Sequence, residues 1–308
     1  MKAIILTDGK AGHENQSRAF ARALGCEAEL VPVKFKSKLS KALSYALDRV
    51  GIRTLFPFEE QARLLAAAGG AKAVIGTGSG TFYAAKSLAK RLGVKCGVVL
   101  TPSGYDLASF DCILSPSFDN PPRRPNIVEI PANLVANDES FYEKGVAAFR
   151  ERHTPGGGDA VAVIVGGPNK CSTMSADWMK RELERVFSEN AGCEFWVTTS
   201  RRTPADVETV VDSFPFDYKL LYSRDRFNPI PAFVKLAKRL YVTAESTGML
   251  SEACTFGSAE VFALDNLNPG PHKFRRFVQN LKDGGYLDGS RKVDLSREFA
   301  AARRLMGL

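Results

Sequence analysis

Residues 3–16 read AIILTDGKAGHENQ, and the order of residue types in that stretch decides the fold class. AIILT (3–7) is a short uncharged β-rich run, as expected of a strand buried on both faces. A loop containing Gly9 and Gly12 follows, and from about Gln16 to Leu24 the pattern turns helical. Strand, glycine loop and helix make half of a βαβ unit. The same grammar continues outward. AELVPV (28–33), AKAVIGTG (71–78), VKCGVVL (94–100), DCILSP (111–116) and NIVEIP (126–131) are further strand candidates. Between them, residues 38–50 place Leu39, Leu43 and Leu47 on one helical face, and TFYAAKSLAKRLG is a helix ending at Gly93.

HTPGGGD (153–159) breaks the pattern, and the pattern then restarts. VAVIVGG (161–167) is a buried strand, and a helix bearing Trp178, Leu183 and Val186 follows it. CEFWVTTS (193–200) is a strand, and residues 203–214 form a helix opened by Thr203 with Pro204 at its first position. Residues 217–222 make a weak strand, LYVT a stronger one, MLSEACTFG a short helix and AEVFAL (259–264) a last strand. The pattern predicts an α/β protein of two doubly wound domains, parallel sheets facing a central cleft. The domains run over 1–155 and 156–290, with a C-terminal helix (291–308) able to pack back on the first.

Composition narrows the function. The 308 residues are 44% hydrophobic and 25% charged, values of a folded chain. No run of 18 apolar residues exists, and AIILT is too short for a signal h-region, so a cytoplasmic location is expected. The six cysteines stand singly and read as reduced, buried thiols. A net charge of +8 favours anionic partners such as nucleotides, phosphorylated substrates or acidic lipid. No nucleic-acid-binding signature accompanies it. Lys34, Lys36, Lys38 and Lys41 flank Phe35, Leu39 and Leu43. A solvated helix face is the ordinary reading of such a run, and a membrane-facing patch the alternative.

Ligands of open parallel sheets bind beyond the carboxyl ends of the strands, so the loops there carry the candidates. In residues 8–16, Gly12 lets backbone approach a ligand, and His13 can exchange a proton near neutral pH. The loop matches neither a Walker A sequence nor a dinucleotide fingerprint. The GTGSGT loop (76–81) reads as structural packing. Gly166 and Gly167 leave room for a phosphate or form a plain turn. Ser200 and Arg201 join a hydroxyl and a guanidinium to a helix start, an anion site. Ser246, Thr247 and Gly248 offer hydroxyls and amides to a diphosphate, and Glu252, one turn on, can accept from ribose hydroxyls. Ser246 serves equally as an N-cap.

ILTDGKAGHENQS, VIVGGPNK, VTTSRRTP, NPI and VTAESTGMLSEA occur in that order across nearly the whole chain. Together they resemble the mitochondrial-fission "elongated mitochondria" family, whose bacterial members are labelled predicted nucleoside-diphosphate-sugar epimerases. That family is similar in build to GT-B glycosyltransferases, with two Rossmann-like domains and the nucleotide-sugar donor on the second. The resemblance implies that Gly12 and His13 face the cleft from the first domain. It places Gly167, Ser200 and Arg201 on the opposite side, Ser246, Thr247 and Gly248 at the diphosphate, and Glu252 at the ribose. The chain departs from the family where Glu245-Ser246-Thr247-Gly248-Met249 replaces Asp-Ser-x-Ser-Met, and where Gly257-Ser258-Ala259-Glu260 replaces Gly-Lys-Pro-Val.

The expected chemistry is inverting sugar transfer with no metal and no cofactor beyond the nucleotide-sugar substrate, since no Asp-x-Asp motif is present. His13 is the expected base for the acceptor hydroxyl, with Asp8 the alternative. A membrane glycolipid suits the basic charge as acceptor, which would make the protein peripheral to the inner membrane face. Two alternatives stand beside this. A nucleotide-sugar epimerase would need acid and base groups such as Glu14, Asp106 or His272, and a non-catalytic fission-family protein would keep only the fold.

Overall fold

The apolar side chains of β1 (Lys2–Thr7) are buried on both faces because the strand sits inside a sheet. The computed structural model describes residues 1–67 and 69–308. β1 pairs with β2 (Glu27–Pro32) on one side and β3 (Ala73–Thr77) on the other. β4 (Lys95–Val99), β5 (Cys112–Pro116) and β6 (Ile127–Ile130) extend the sheet, giving the parallel order β2-β1-β3-β4-β5-β6. Successive residues point to opposite faces. Ala3 and Ile5 pack with Phe20 of α1 (Ala11–Ala23) and with Ala302 and Met306 of α11 (Ser296–Met306). Ile4 and Leu6 pack with Tyr83 and Leu88 of α4 (Phe82–Leu92). α2 (Lys38–Arg49) and α3 (Gln61–Ala67) complete this unit, which comprises Met1–Ala136 and Asp294–Leu308.

The second unit is Asn137–Val293. Its parallel sheet contains β7 (Ala160–Ile164), β8 (Glu194–Thr198), β9 (Tyr218–Leu220), β10 (Arg239–Thr243) and β11 (Glu260–Leu264), in the order β11-β10-β7-β8-β9. Its helices are α5 (Glu139–Arg150), α6 (Ala176–Glu189), α7 (Ala205–Ser213), α8 (Ile230–Leu236), α9 (Thr247–Thr255) and α10 (Lys273–Asp283). Two Rossmann-like units with all-parallel sheets are the architecture expected from the alternating pattern.

Four details differ from the sequence reading. The break between units falls at residues 136 and 137, before α5, and not at 155. α5 belongs to the second unit because Phe149 packs on Trp196 and Phe233, with ring centroids 5.1 and 5.8 Å apart. HTPGGGD is therefore a loop inside that unit. Glu194 holds it, taking the Gly156 amide at 2.7 Å and facing His153 Nε2 at 2.5 Å. α7 begins one residue after Pro204, which is extended and stands at the N-cap. α3, α5 and α10 escaped the pattern reading altogether.

The fourth difference concerns α2. Its buried residues are Ser44 and Asp48, whereas Leu39 is 79% exposed and Leu43 39%. Buried ionic contacts set that rotation. Asp48 meets Lys86 Nζ at 2.7 Å and Arg53 Nη1 at 3.2 Å, and accepts the Asp106 amide at 2.6 Å. Burial pushes Lys86 below the ordinary lysine range, and Asp48 offsets part of that shift. Breaking such a network by removing one partner costs about 3–5 kcal/mol.

Strand order points to the functional loops. In the first sheet the winding reverses between β1 and β3, and in the second between β7 and β10. Neighbouring loops diverge at a reversal and leave a crevice beyond the strand ends. The loops at these positions are 8–10 with 78–81, and 165–175 with 244–246.

Candidate functional site

At the first reversal, Asp8 and His13 meet. His13 Nδ1 lies 3.1 Å from both Asp8 carboxylate oxygens, and Lys10 Nζ lies 2.8 Å from Oδ2. Burial opposes ionisation of Asp8, but Lys10 and His13 outweigh it and hold the carboxyl below its usual range. An ionised Asp8 accepts, so Nδ1 carries the proton and the Nε2 lone pair is left free. Among the described residues Nε2 has no partner, and the ring is about a quarter exposed.

The GTGSGT loop is the bed of this pair, a part that the sequence reading assigned to packing alone. A Cβ at Gly78 would lie 2.3 Å from His13 Cε1, and its φ of +82° disfavours side chains independently. A Cβ at Gly80 would lie 2.8 Å from Asp8 Cβ. Thr77 fastens the loop to α1 through Ser17, hydroxyl to hydroxyl at 2.6 Å. Lys10 at the N-cap of α1 makes no side-chain cap, and open space lies over Gly12. A cavity of about 300 Å³ adjoins Thr7 and Asp8, walled by Val33, Lys34 and Glu59.

At the second reversal, the start of α9 is uncapped. Ser246 stands at the N-cap position but its side chain makes no capping bond, and open space lies over Gly248. The first amides of α9 therefore keep their hydrogen-bonding capacity and the positive end of the helix dipole. Behind them Glu245, only 3% exposed, accepts the Gly167 amide through Oε1 at 2.7 Å, while its Oε2 has no partner. Asn266 accepts the Glu245 amide at 3.3 Å and keeps a buried, unpartnered Nδ2. A buried polar atom without a partner is costly, and two of them side by side call for a water, an ion or a ligand to complete them. The sequence reading treated Glu245 only as a departure from the family pattern and passed over Asn266. The signal available was their position, each one or two residues beyond a strand end.

The remaining candidates fall into two groups. Gly167 is required by packing, since its Cβ would lie 2.2 Å from the Arg202 carbonyl, and its amide is taken by Glu245. The Arg202 backbone fills the space expected for a phosphate, and the turn reading is the one that fits. Ser200 is bound to Thr203 within its own turn, whereas Arg201 is exposed with no partner among the described residues. Thr247 and Gly248 form the first turn of α9. Glu252 is half-buried on the next turn. Its Oε1 accepts from the Tyr142 hydroxyl at 2.8 Å and from Asn137 Nδ2 at 3.2 Å. Burial raises its carboxyl above the usual range against the pull of those two donors. Tyr142 is in turn raised by burial and by Glu252 beside it. Among the described residues no three His, Cys, Asp or Glu side chains group as a metal site requires, and no helix is long and apolar enough to cross a membrane.

The three groups named for epimerase chemistry are engaged elsewhere. Glu14 pairs with Arg18 at 3.0 Å. Asp106 caps a short 3₁₀ turn, and His272 caps α10 with its Nε2 at 3.1 Å from the Asn268 carbonyl.

The family described as Mitochondrial fission ELM1 matches residues 11–300. The chain belongs to that family. No curated protein matches it at the same standard. Solved structures share the fold of this ELM1-family chain. UDP-GlcNAc 2-epimerase from Methanocaldococcus jannaschii is 12% identical, with a TM-score of 0.56 over 100% of this chain and 98% of that one. The enzyme of that name from Neisseria meningitidis, bound to UDP-GlcNAc, is 10% identical, with a TM-score of 0.51 over 100% and 98%. MnaA from S. aureus, with UDP, is 13% identical, with a TM-score of 0.50 over 99% and 88%. Identities this low establish a common fold.

Proposed function

We propose that this chain is an inverting, metal-independent glycosyltransferase that takes its donor as a nucleoside-diphosphate sugar. The Asp8–His13 pair carries the reading: the carboxylate fixes Nδ1, and Nε2 has no partner among the described residues. That arrangement suits abstraction of a proton from an acceptor hydroxyl. The acceptor oxygen attacks the anomeric carbon as its proton passes to Nε2. The bond from that carbon to the diphosphate oxygen breaks, and its electron pair leaves with the nucleoside diphosphate. Asp8 stabilises the imidazolium formed.

In the second unit, the open amides of α9 and the Arg201 guanidinium receive the charge developing on the leaving diphosphate. Glu252 takes a ribose hydroxyl on Oε2 while Tyr142 and Asn137 hold Oε1. Glu245 Oε2 and Asn266 Nδ2, an acceptor and a donor, read the hydroxyls of the transferred sugar. The engagement of Glu14, Asp106 and His272 favours transfer over epimerisation. Proteins of this fold that hold UDP or UDP-GlcNAc support uridine as the first base to try. A lipid-linked glycan is the acceptor class that the charge of the chain suits.

Thermal shift with UDP, GDP, ADP and CMP tests the reading. One nucleotide should raise Tm, and Glu252→Ala should abolish the rise. Identical melting temperatures throughout would leave a family member that acts by protein contact. Incubating the binding nucleotide's sugar conjugates without acceptor separates the two enzymes. Slow hydrolysis alone fits a transferase, and interconversion of sugar epimers would overturn the proposal.

A further inference from the structure

Helix α2 carries its apolar side outward. Leu39, Ala42, Leu43, Ala46 and Val50 recur at helical spacing and are all exposed, while Ser44 and Asp48 are buried. Among the described residues seven large apolar side chains are exposed, and Leu39, Leu43, Val50, Ile52 and Phe56 account for five of them. The clustering is not a helix loosely set. Ser37 and Ser40 close a reciprocal capping box, Ser44 bonds the Tyr105 hydroxyl at 2.9 Å, and Asp48 sits in its ion network with Lys86 and Arg53. Turning the leucines inward would break the bond to Tyr105 and the ion network.

The charge around this stripe has one sign. Residues 34–56 hold six Lys and Arg against one acid, Asp48, which is buried and paired. Lys34, Lys36, Lys38 and Arg49 are exposed, and among the described residues only Lys34 of these four pairs with an acid, Glu59 at 3.3 Å. Lys36 lies over the Phe56 ring, 4.3 Å from its centre.

We propose that α2, with the segment reaching to Phe56, is a docking surface for an anionic lipid bilayer. Phosphate headgroups meet the lysines, and Leu39, Leu43 and Val50 enter the boundary beneath them. Lysine stems are apolar with charged tips, matching the graded polarity of a headgroup layer. Protein interfaces instead deplete lysine around their apolar centres. Lys41 Nζ bonds Ser79 Oγ at 2.9 Å, so the helix is fastened to the loop that beds His13. Docking therefore brings the proton-accepting pair to the lipid surface. The proposal stands apart from the nucleotide-sugar reading, because vesicle binding needs no nucleotide.

The test is flotation of the full chain with phosphatidylcholine vesicles lacking or containing phosphatidylglycerol. Binding is expected only to the anionic vesicles and should weaken as salt rises. Leu39→Ser with Leu43→Ser should lower the partition coefficient about tenfold or more, and Lys36→Glu with Lys38→Glu by a similar factor. All four side chains are exposed, so Tm should not move. No binding to anionic vesicles would overturn the proposal. So would binding that the leucine variant retains in full. A dimer in solution that the leucine variant converts to monomer would assign the stripe to a second copy of this chain and would also overturn it.

Discussion

The two strand reversals of this chain occupy the same topological place and are built for different work. Beyond β1 and β3, the carboxylate is engaged on both oxygens: Asp8 meets Lys10 and His13, and two glycines admit the ring and the carboxylate. Beyond β7 and β10, polar groups are left incomplete: α9 is uncapped, and Glu245 Oε2 and Asn266 Nδ2 are buried without partners. A group that must move a proton gains from fixed orientation and a defined tautomer. A seat for a ligand gains from donors and acceptors that only the ligand completes. Under the proposed function, position in the fold selects where chemistry occurs, and the satisfaction of hydrogen bonds separates the reacting group from the binding one.

His13→Ala should break that contrast most visibly. Turnover should fall about 10²–10⁴-fold with nucleotide affinity unchanged, read by initial rates and calorimetry on one preparation. An equal loss of affinity would show that the first junction also binds the nucleotide. Gly78→Ala should come next. Its Cβ displaces the imidazole, and turnover should drop about tenfold to a hundredfold while His13 itself is intact. Strain at a positive φ should also lower stability, by about 1–2 kcal/mol in chemical denaturation. Glu245→Gln keeps an oxygen for the Gly167 amide but alters the atom facing the ligand. Binding of the sugar nucleotide should weaken about tenfold, with binding of the bare nucleotide unaffected. Equal weakening of both would move Glu245 from sugar recognition to scaffold.

The smallest effect is a difference of sign. Asp8 is held below its ordinary value of 3.8, so the native state binds fewer protons there than the unfolded chain. Its contribution is present above that ordinary value and is lost as pH falls through the depressed one. Asp8→Asn should therefore lower stability at pH 7, with the gap to wild type closing in acid. Glu252 is raised above 4.5, and its contribution is full below that value and lost as pH rises through the raised one. Glu252→Gln should therefore gain on wild type between pH 4 and pH 8. Urea denaturation across that range reads both, and parallel curves would refute the assigned directions.

Much of the site was legible because it lies at strand ends. The apolar runs AIILT, AKAVI and VAVIV and the hydroxyl and glycine residues after LYVT announced where the sheets stop and ligand loops begin. His13, Ser246, Thr247 and Gly248 became candidates that way. Glu245 and Asn266 were not, because a carboxyl beside an N-cap and an amide after the last strand have many innocuous explanations. Their unmet valences become visible only when every neighbour is placed. Gly167 was read as leaving room for a phosphate or as a plain turn, because sequence shows a glycine's freedom but not which backbone fills the space beside it.

By itself the sequence determined the alternation of strand and helix, the all-parallel character of the sheets and the loops that close each strand. Those follow from side-chain periodicity and turn chemistry, which are local. Only the tertiary structure decided that α5 belongs with the second sheet, that α2 buries Ser44 and Asp48 while exposing Leu39 and Leu43, and that Gly78 lies against His13. Each depends on partners distant along the chain, such as Trp196 for Phe149 and Lys86 for Asp48. Periodicity states that a helix has two faces, and the long-range contacts state which face the protein keeps.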